Sequence, residues 1–198
     1  MISIVDYGMG NLGSISNMLK KIGVASRFVS NIEEISAAEK IILPGVGSFD
    51  NAMEKLNTLG FSNVIKEKAS SGTPVLGICL GMQLLGTRSE EGIQEGLDLI
   101  PGVIRKFPSL NGLRIPHMGW NKVDVSDLGM FKGLEENKFY FVHSYFYDPK
   151  DSAHIGGKTE YGINFTSSVH KSNIYGVQFH PEKSHKYGMQ LLKNFAAL

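Results

Sequence analysis

Short apolar runs alternate with amphipathic stretches through the first half of the chain. Residues 2–5, 40–43 and 74–78 are runs of Ile, Val and Leu, too short for helices and bounded by Asp, Gly, Thr or Pro. They predict buried strands, and residues 25–29 read as a further one. Residues 12–22 carry Ile15, Met18, Leu19 and Ile22 at helical spacing. Residues 49–59, 61–69 and 80 to about 86 also read as helices. Strands alternating with helices indicate βαβ units and a parallel sheet covered on both faces.

The second half changes character. Residues 103–107, 122–125, 138–142, 155–159, 163–169 and 174–178 read as strands, with little helix between them and Gly, Asn and Asp at the turns. This predicts mixed or antiparallel strands added to the sheet. An amphipathic helix follows, from about 184 to 196. The expected fold class is α/β: an open, mostly parallel central sheet flanked by helices, with additional mixed or antiparallel strands from the C-terminal half. No repeat, low-complexity tract or long linker divides residues 1–198, so one domain is expected.

The 198 residues are 42% hydrophobic, enough for one sizeable core. Charged residues are 20% and the formal net charge is +1, which gives no basic excess for nucleic acid or an anionic membrane. No apolar run approaches the roughly 18 residues that span a bilayer. The N-terminal run has neither a basic lead nor a small-residue cleavage site, so it does not read as a signal peptide. The one cysteine, Cys79, leaves no internal disulfide. A cytoplasmic setting is expected, in which Cys79 is either a small buried hydrophobe or a nucleophile. The histidines lack metal-ligand spacing and no phosphate loop is present, so neither metal nor cofactor is expected.

Cys79 ends an apolar run within Gly77-Ile78-Cys79-Leu80-Gly81. Gly-x-Cys-x-Gly between a strand and a helix has the layout of the nucleophile elbow of serine hydrolases. Residues two either side of the nucleophile must be small, because chain segments crowd there. The thiol then points out at the carboxyl edge of the sheet, where open α/β folds bind ligands. The start of the following helix favours the thiolate, the reactive form. A buried structural cysteine is the default, and the flanking glycines argue against it.

A nucleophile needs a base and an orienter. Phe179-His180-Pro181-Glu182 follows the run at 174–178. Pro181 stops the strand, and Glu182 can reach back to the imidazole to set its tautomer. By residues alone, His143 in Tyr140-Phe141-Val142-His143-Ser144-Tyr145 is also a candidate base. Acyl transfer needs two N–H donors on the developing oxyanion. One is the amide of Leu80. The second would come from Leu43-Pro44-Gly45-Val46-Gly47-Ser48-Phe49, whose glycines allow close backbone approach. The plain alternative for that segment is a tight turn capped by Ser48.

Together these segments resemble the class I, triad-type glutamine amidotransferases. Gly77 to Gln83 is similar to that family's nucleophile segment, and Phe179 to Glu182 to its base segment. Asp6 to Leu12, Pro116-His117-Met118-Gly119-Trp120-Asn121 and His180-Pro181-Glu182-Lys183-Ser184 resemble, more narrowly, the glutaminase subunits of imidazole glycerol phosphate synthases. The resemblance spans essentially the whole chain. It implies that Cys79 attacks the side-chain amide of glutamine, with His180 as base and Glu182 as orienter. It implies Gly47, Gln83, Glu91, Ser144 and Tyr145 in the glutamine pocket, and Leu80, Val46 and Gly47 at the oxyanion hole. It also implies a heterodimeric partner, a (β/α)8-barrel cyclase that receives the ammonia for histidine biosynthesis. Asn11, Met118, Trp120, Tyr140 and Lys183 match positions near that interface. Their plain readings are core for Met118 and Trp120, a strand residue for Tyr140 and a solvated charge for Lys183.

Three rivals remain at this stage. The same chemistry could feed a sugar amidotransferase in surface-polysaccharide biosynthesis. The chain could be a partner-independent γ-glutamyl thiol hydrolase, or a catalytically silent partner-binding protein.

Overall fold

The computed structural model of the chain describes residues 1–109, 112–126, 129–134 and 136–198. Its parallel half is built from β1 (Ile2–Val5), β2 (Ser26–Val29), β3 (Ile41–Leu43) and β4 (Val75–Ile78). Helices α1 (Leu12–Lys21), α3 (Phe49–Thr58), α4 (Phe61–Ser70) and α5 (Leu80–Leu84) fall between or after them, where the hydrophobic spacing predicts helices. A short α2 (Ile32–Ser36) was not predicted. It is one turn and a half, too short to show a period, and rests on local capping. Asn31 accepts the Glu34 amide at 2.9 Å, while the Glu34 carboxylate takes the Ser30 amide at 2.9 Å.

The C-terminal half supplies β5 (Arg88–Ser89), β6 (Gly102–Lys106), β7 (His117–Lys122), β8 (Asp124–Val125), β9 (Lys138–His143), β10 (Tyr145–Pro149), β11 (Ile155–Tyr161), β12 (Ile163–Lys171) and β13 (Ile174–Val177), then α6 (His185–Ala197). Among the described residues the large sheet has 11 strands, ordered β2-β1-β3-β4-β13-β12-β10-β6-β5, with β11 beside β12 and β8 beside β11. Pairing is parallel from β2 to β13 and antiparallel at β13–β12, β12–β10 and β10–β6. The fold class is therefore the one expected from the sequence: mixed α/β, a largely parallel sheet extended by antiparallel strands.

Three expectations need correction. The strand expected at 122–125 is two elements, the end of β7 and all of β8, with Val123 between them. β7 itself was missed because its polarity is inverted. Met118 and Trp120 point out at 61% and 41% exposure, while His117 on the opposite face is buried. β10 was missed because only Ser144 separates it from β9, with no turn residues. The chain changes sheets there: β9 pairs β7 in a separate two-stranded sheet, and β10 joins the large one.

Alternation along the parallel strands fills two cores. Val5, Ile41, Leu43 and Val75 pack with Phe49, Leu56, Phe61 and Ile65 on one face. Ile2, Ile4, Ile42, Leu76 and Ile78 pack with Ile15, Leu19, Leu191 and Phe195 on the other. Fully burying one such side chain is worth about 1.5–3 kcal/mol. The strands are buried on both sides, which is why they read as unbroken apolar runs.

The tightest packing lies where β4 turns into α5. A Cβ on Gly81 would sit 1.9 Å from the Leu43 carbonyl oxygen, and one on Gly77 2.5 Å from the Gly81 oxygen. Backbone cannot yield to such overlaps. Gly81→Ala is expected to destabilise the fold by more than ~3 kcal/mol, read as a drop in urea midpoint or loss of soluble protein. Gly13→Ala, in an exposed turn of α1 with open space around it, is expected to raise stability by up to about 1 kcal/mol. Equal effects at the two sites would contradict this packing account.

Candidate active site

Three neighbouring parallel strands end together. β4 and β13 pair in register from Ile174↔Val75 to Val177↔Ile78, and β3 pairs β4 through Leu43↔Gly77. The residues just past those ends are therefore brought side by side: Pro44 to Ser48 after β3, Cys79 after β4, and Gln178 to Glu182 after β13. The Cys79 amide donates to the Val177 carbonyl at 2.8 Å, which ties the nucleophile candidate to the strand that delivers His180.

Cys79 has φ 55° and ψ −111°, left-handed backbone for a non-glycine residue. Such geometry costs roughly 1–3 kcal/mol and persists only where the surroundings enforce it. The enforcement is the pair of glycine contacts above, together with Gly45, where a Cβ would lie 2.9 Å from both the Gly81 amide nitrogen and the Leu80 Cβ. The thiol is 7% exposed and lies 3.9 Å from the Val142 carbonyl.

His180 Nδ1 and Glu182 Oε1 are 2.8 Å apart, with both side chains almost wholly buried. This fixes Nδ1 as the protonated nitrogen and leaves Nε2 for the thiol side. Nε2 is buried without a hydrogen-bond partner among the described residues. Burial alone would lower the imidazole pKa. The Cys79 sulfur and the Glu182 carboxylate outweigh that and push it up to about 10. Pro181–Lys183 form a single 3₁₀ turn, locked by Ser184. The Ser184 hydroxyl donates to the His180 carbonyl at 2.6 Å and accepts the Tyr140 amide at 3.0 Å. Sequence reasoning saw that serine only as the end of a motif.

His143, the other candidate base, is differently engaged. Its Nδ1 meets the Tyr145 carbonyl at 2.7 Å and its Nε2 meets His117 Nδ1 at 2.9 Å. Burial lowers its pKa to about 3 and that of His117 to about 4. Both ring nitrogens of His143 are occupied, so the geometry favours His180 as base.

A cleft of about 380 Å³ opens over Cys79. It is lined by Val46, Gly47, Leu80, Gln83, Glu91, Ser144, Tyr145, His180 and Lys183, with Pro116, Val142 and His143. Every residue expected at the oxyanion hole or glutamine pocket therefore reaches one cavity, and Glu182 sits behind His180. The Glu91 carboxylate accepts the Phe49 amide at 2.9 Å. It thereby caps α3, while Ser48 occupies the cap position without a side-chain bond. This corrects the plain reading of the Pro44–Ser48 segment. Asp50 accepts the Ile93 and Gln94 amides at 3.0–3.1 Å and so holds the loop that carries Glu91.

Two residues escaped sequence reasoning. Gln178 donates to the Cys79 sulfur at 3.8 Å and accepts from Gln83 Nε2 at 3.1 Å. A glutamine ending an apolar run was its only signal in the sequence, and the structure buries it fully. Tyr7 donates to the Pro44 carbonyl at 2.8 Å, pinning the entry of the loop that runs to Gly47. Burial and the nearby Cys79 push its phenol pKa up.

Of the expected interface residues, Asn11, Met118, Trp120 and Lys183 are exposed and Tyr140 is half-buried. Trp120 stacks on His185 at 5.5 Å and meets Tyr140 edge-on at 6.2 Å. Lys183 Nζ lies 5.8 Å over the Tyr140 ring. Met118 and Trp120 are thus not core, and an aromatic-and-cation surface borders the cleft. Among the described residues no cluster of three or more His, Cys, Asp or Glu could hold a metal ion, and no helix is long and apolar enough to cross a membrane.

The fold and this site define a class, and the comparisons agree with it. Residues 3–198 match the family model of glutamine amidotransferase class-I, and the chain belongs to that family. It is 52% identical, over 98% of both chains, to imidazole glycerol phosphate synthase subunit HisH 2 of Methanococcus maripaludis. It is 46% identical, over the full length of both, to subunit HisH of Bdellovibrio bacteriovorus. In fold it is similar to the PurLQS structure from Thermotoga maritima, with TM-score 0.77, 19% identity and coverage of 98% of this chain and 96% of that one.

The buried histidines set a pH profile for stability. An unfolded imidazole binds its proton near pH 6.5. His117 and His143 stay neutral when folded, so their contribution is full above about 6.5 and drains as pH falls toward about 4 and about 3. His180 runs oppositely: its contribution is full below about 6.5 and drains as pH rises toward about 10. The melting temperature is expected to peak near neutrality, and His180→Asn to flatten the alkaline limb while leaving the acid limb. An unchanged alkaline limb in that variant would contradict the assignment.

Proposed function

We propose that this chain is a glutaminase that releases ammonia from L-glutamine, as the glutamine amidotransferase subunit of an imidazole glycerol phosphate synthase in L-histidine biosynthesis. The observation that carries the reading is the cleft over Cys79, where the ends of β4 and β13 bring the thiol beside the His180–Glu182 pair. Near-half identity along the full length of HisH subunits supports it.

In this reading the Cys79 sulfur attacks the side-chain amide carbon of glutamine. The Cys79 thiol proton already rests on His180 Nε2, whose pKa is pushed up by the sulfur and the Glu182 carboxylate. It passes from there to the departing nitrogen, so ammonia leaves and a γ-glutamyl thioester remains. Water, deprotonated by the same nitrogen, cleaves the thioester to glutamate and restores the thiol. Glu182 holds the His180 tautomer and supports the imidazolium. The Leu80 amide and the Gly45-Val46-Gly47 segment supply the oxyanion donors, each worth about 100- to 1000-fold in rate. Glu91 receives the substrate ammonium. Gly47, Gln83 and the Ser144–Tyr145 backbone fix the remaining polar groups.

The ammonia passes to a (β/α)8-barrel cyclase docked over the surface that carries Asn11, Met118, Trp120, Tyr140 and Lys183. A direct, dry conduit keeps ammonia neutral and nucleophilic, whereas bulk water would protonate it. Two relatives, from Methanococcus maripaludis and Pseudomonas aeruginosa, are named HisH 2. That numeral favours keeping a second acceptor in view: a sugar amidotransferase served by the same glutaminase chemistry.

Glutamate release by the chain is expected to be slow alone and strongly stimulated by a histidine-pathway cyclase carrying its ribotide ligand. Cys79→Ala is expected to abolish it, and Glu182→Gln to lower it about 100-fold or more. No stimulation by the cyclase would turn the reading to the sugar acceptor. Glutamine hydrolysis by Cys79→Ala would overturn the nucleophile.

A further inference from the structure

The mechanism above makes no use of the buried pair His117 and His143. These residues face each other in the β7–β9 register, and His117 stacks on Phe141 at 4.8 Å and on Tyr161 at 4.0 Å. Their hydrogen bonds admit one assignment of protons. The Tyr145 carbonyl can only accept, so His143 Nδ1 is the donor at 2.7 Å. In the neutral ring His143 Nε2 then accepts, and His117 Nδ1 donates to it at 2.9 Å. His117 Nε2 in turn accepts from Asn121 Nδ2 at 3.3 Å, and the same amide group donates to the Glu160 carbonyl at 2.9 Å.

The chain of bonds continues on the far side of the Tyr145 carbonyl. Gln83 Nε2 donates to that oxygen at 3.3 Å and to Gln178 Oε1 at 3.1 Å, and Gln178 Nε2 reaches the Cys79 sulfur at 3.8 Å. One polar path thus runs from Asn121 on β7 to the nucleophile. The same strand turns Met118 and Trp120 outward. Buried chains of this kind hold their members in place, because each loses a buried hydrogen bond if a neighbour moves. Burial keeps both rings neutral near pH 7, which is the state the assignment needs.

We propose that His117, His143 and Asn121 are positioning residues for glutamine hydrolysis: their one-directional hydrogen-bond chain sets the Tyr145 carbonyl and the Gln83 amide in the glutamine pocket and couples them to the outward face of β7. This rests on the glutaminase reading given above. It predicts a loss in substrate binding rather than in the chemistry at Cys79.

The test uses the chain in complex with the barrel cyclase and its ligand. His117→Phe keeps the ring stacking and removes the donor. His117→Asn keeps an N–H donor close to the position of Nδ1. His117→Phe is expected to raise KM for glutamine about fivefold to tenfold with kcat within about twofold, the scale of one lost hydrogen bond. His117→Asn is expected to recover most of that loss. Alkylation of Cys79 by iodoacetamide is expected to proceed at the wild-type rate in both. Equal KM in His117→Phe and wild type would overturn the proposal. So would a fall of kcat and melting temperature alongside the rise in KM that His117→Asn does not rescue, since that marks a merely structural pair. Should His117→Phe not fold, ¹⁵N spectra of the wild-type imidazoles decide the matter: both rings are expected as neutral Nδ1–H tautomers, and an Nε2–H tautomer at either would overturn it. Absence of glutamine hydrolysis by the wild-type complex would instead sink the glutaminase reading, and this proposal with it.

Discussion

The turn from β4 into α5 constrains everything around it. Cys79 sits in left-handed backbone because Gly77 and Gly81 let that turn close against itself and against the end of β3, with no room for a single Cβ. That approach sets three consequences together. It exposes the Leu80 end of α5 to the cleft. It fixes the Pro44–Ser48 segment over Cys79, with Gly45 against Leu80 and Gly81. And it leaves the parallel pairing of β4 with β13 as the route by which His180, 101 positions later in the chain, reaches the thiol. The strain at one residue is offset by the packing of two cores on either side of the sheet.

Around that turn the site divides into two electrostatic regimes. His180, between the Glu182 carboxylate and the Cys79 sulfur, is arranged to carry a proton. His143 on β9 and His117 on β7 are held neutral near pH 7 by burial. Environments that push like groups apart in pKa assign their roles. In the glutaminase reading the acid–base work falls to the histidine that has a carboxylate behind it, while the neutral pair serves as fixed dipoles, His143 in the wall of the pocket and His117 hydrogen-bonded to it.

Much of this was legible in the sequence, and the exceptions share physical causes. Unbroken apolar runs marked β1, β3 and β4 because a parallel sheet covered on both faces needs no alternation. The Gly-x-Cys-x-Gly spacing and the His-Pro-Glu ending pointed to Cys79, His180 and Glu182, which the structure brings to one strand edge, because small neighbours allow the tight turn and the proline stops the strand. What stayed hidden was whatever depends on long-range pairing. β7 carries its apolar side chains outward, so a periodic reading inverts it. β10 follows β9 after one residue, because the chain changes sheets without a turn. Gln178, Tyr7 and His117 are polar residues whose roles arise only when distant segments meet. His143 stood beside His180 as a candidate base, and only the structure shows that both of its ring nitrogens are engaged.

The account turns on covalent chemistry at Cys79. The most direct measurement is acid quenching of the cyclase complex during turnover of isotopically labelled glutamine, followed by peptide mass spectrometry. A labelled γ-glutamyl adduct confined to the peptide that contains Cys79 is the expected result. Undiminished release of glutamate with no adduct there, or with the label on another residue, would contradict it.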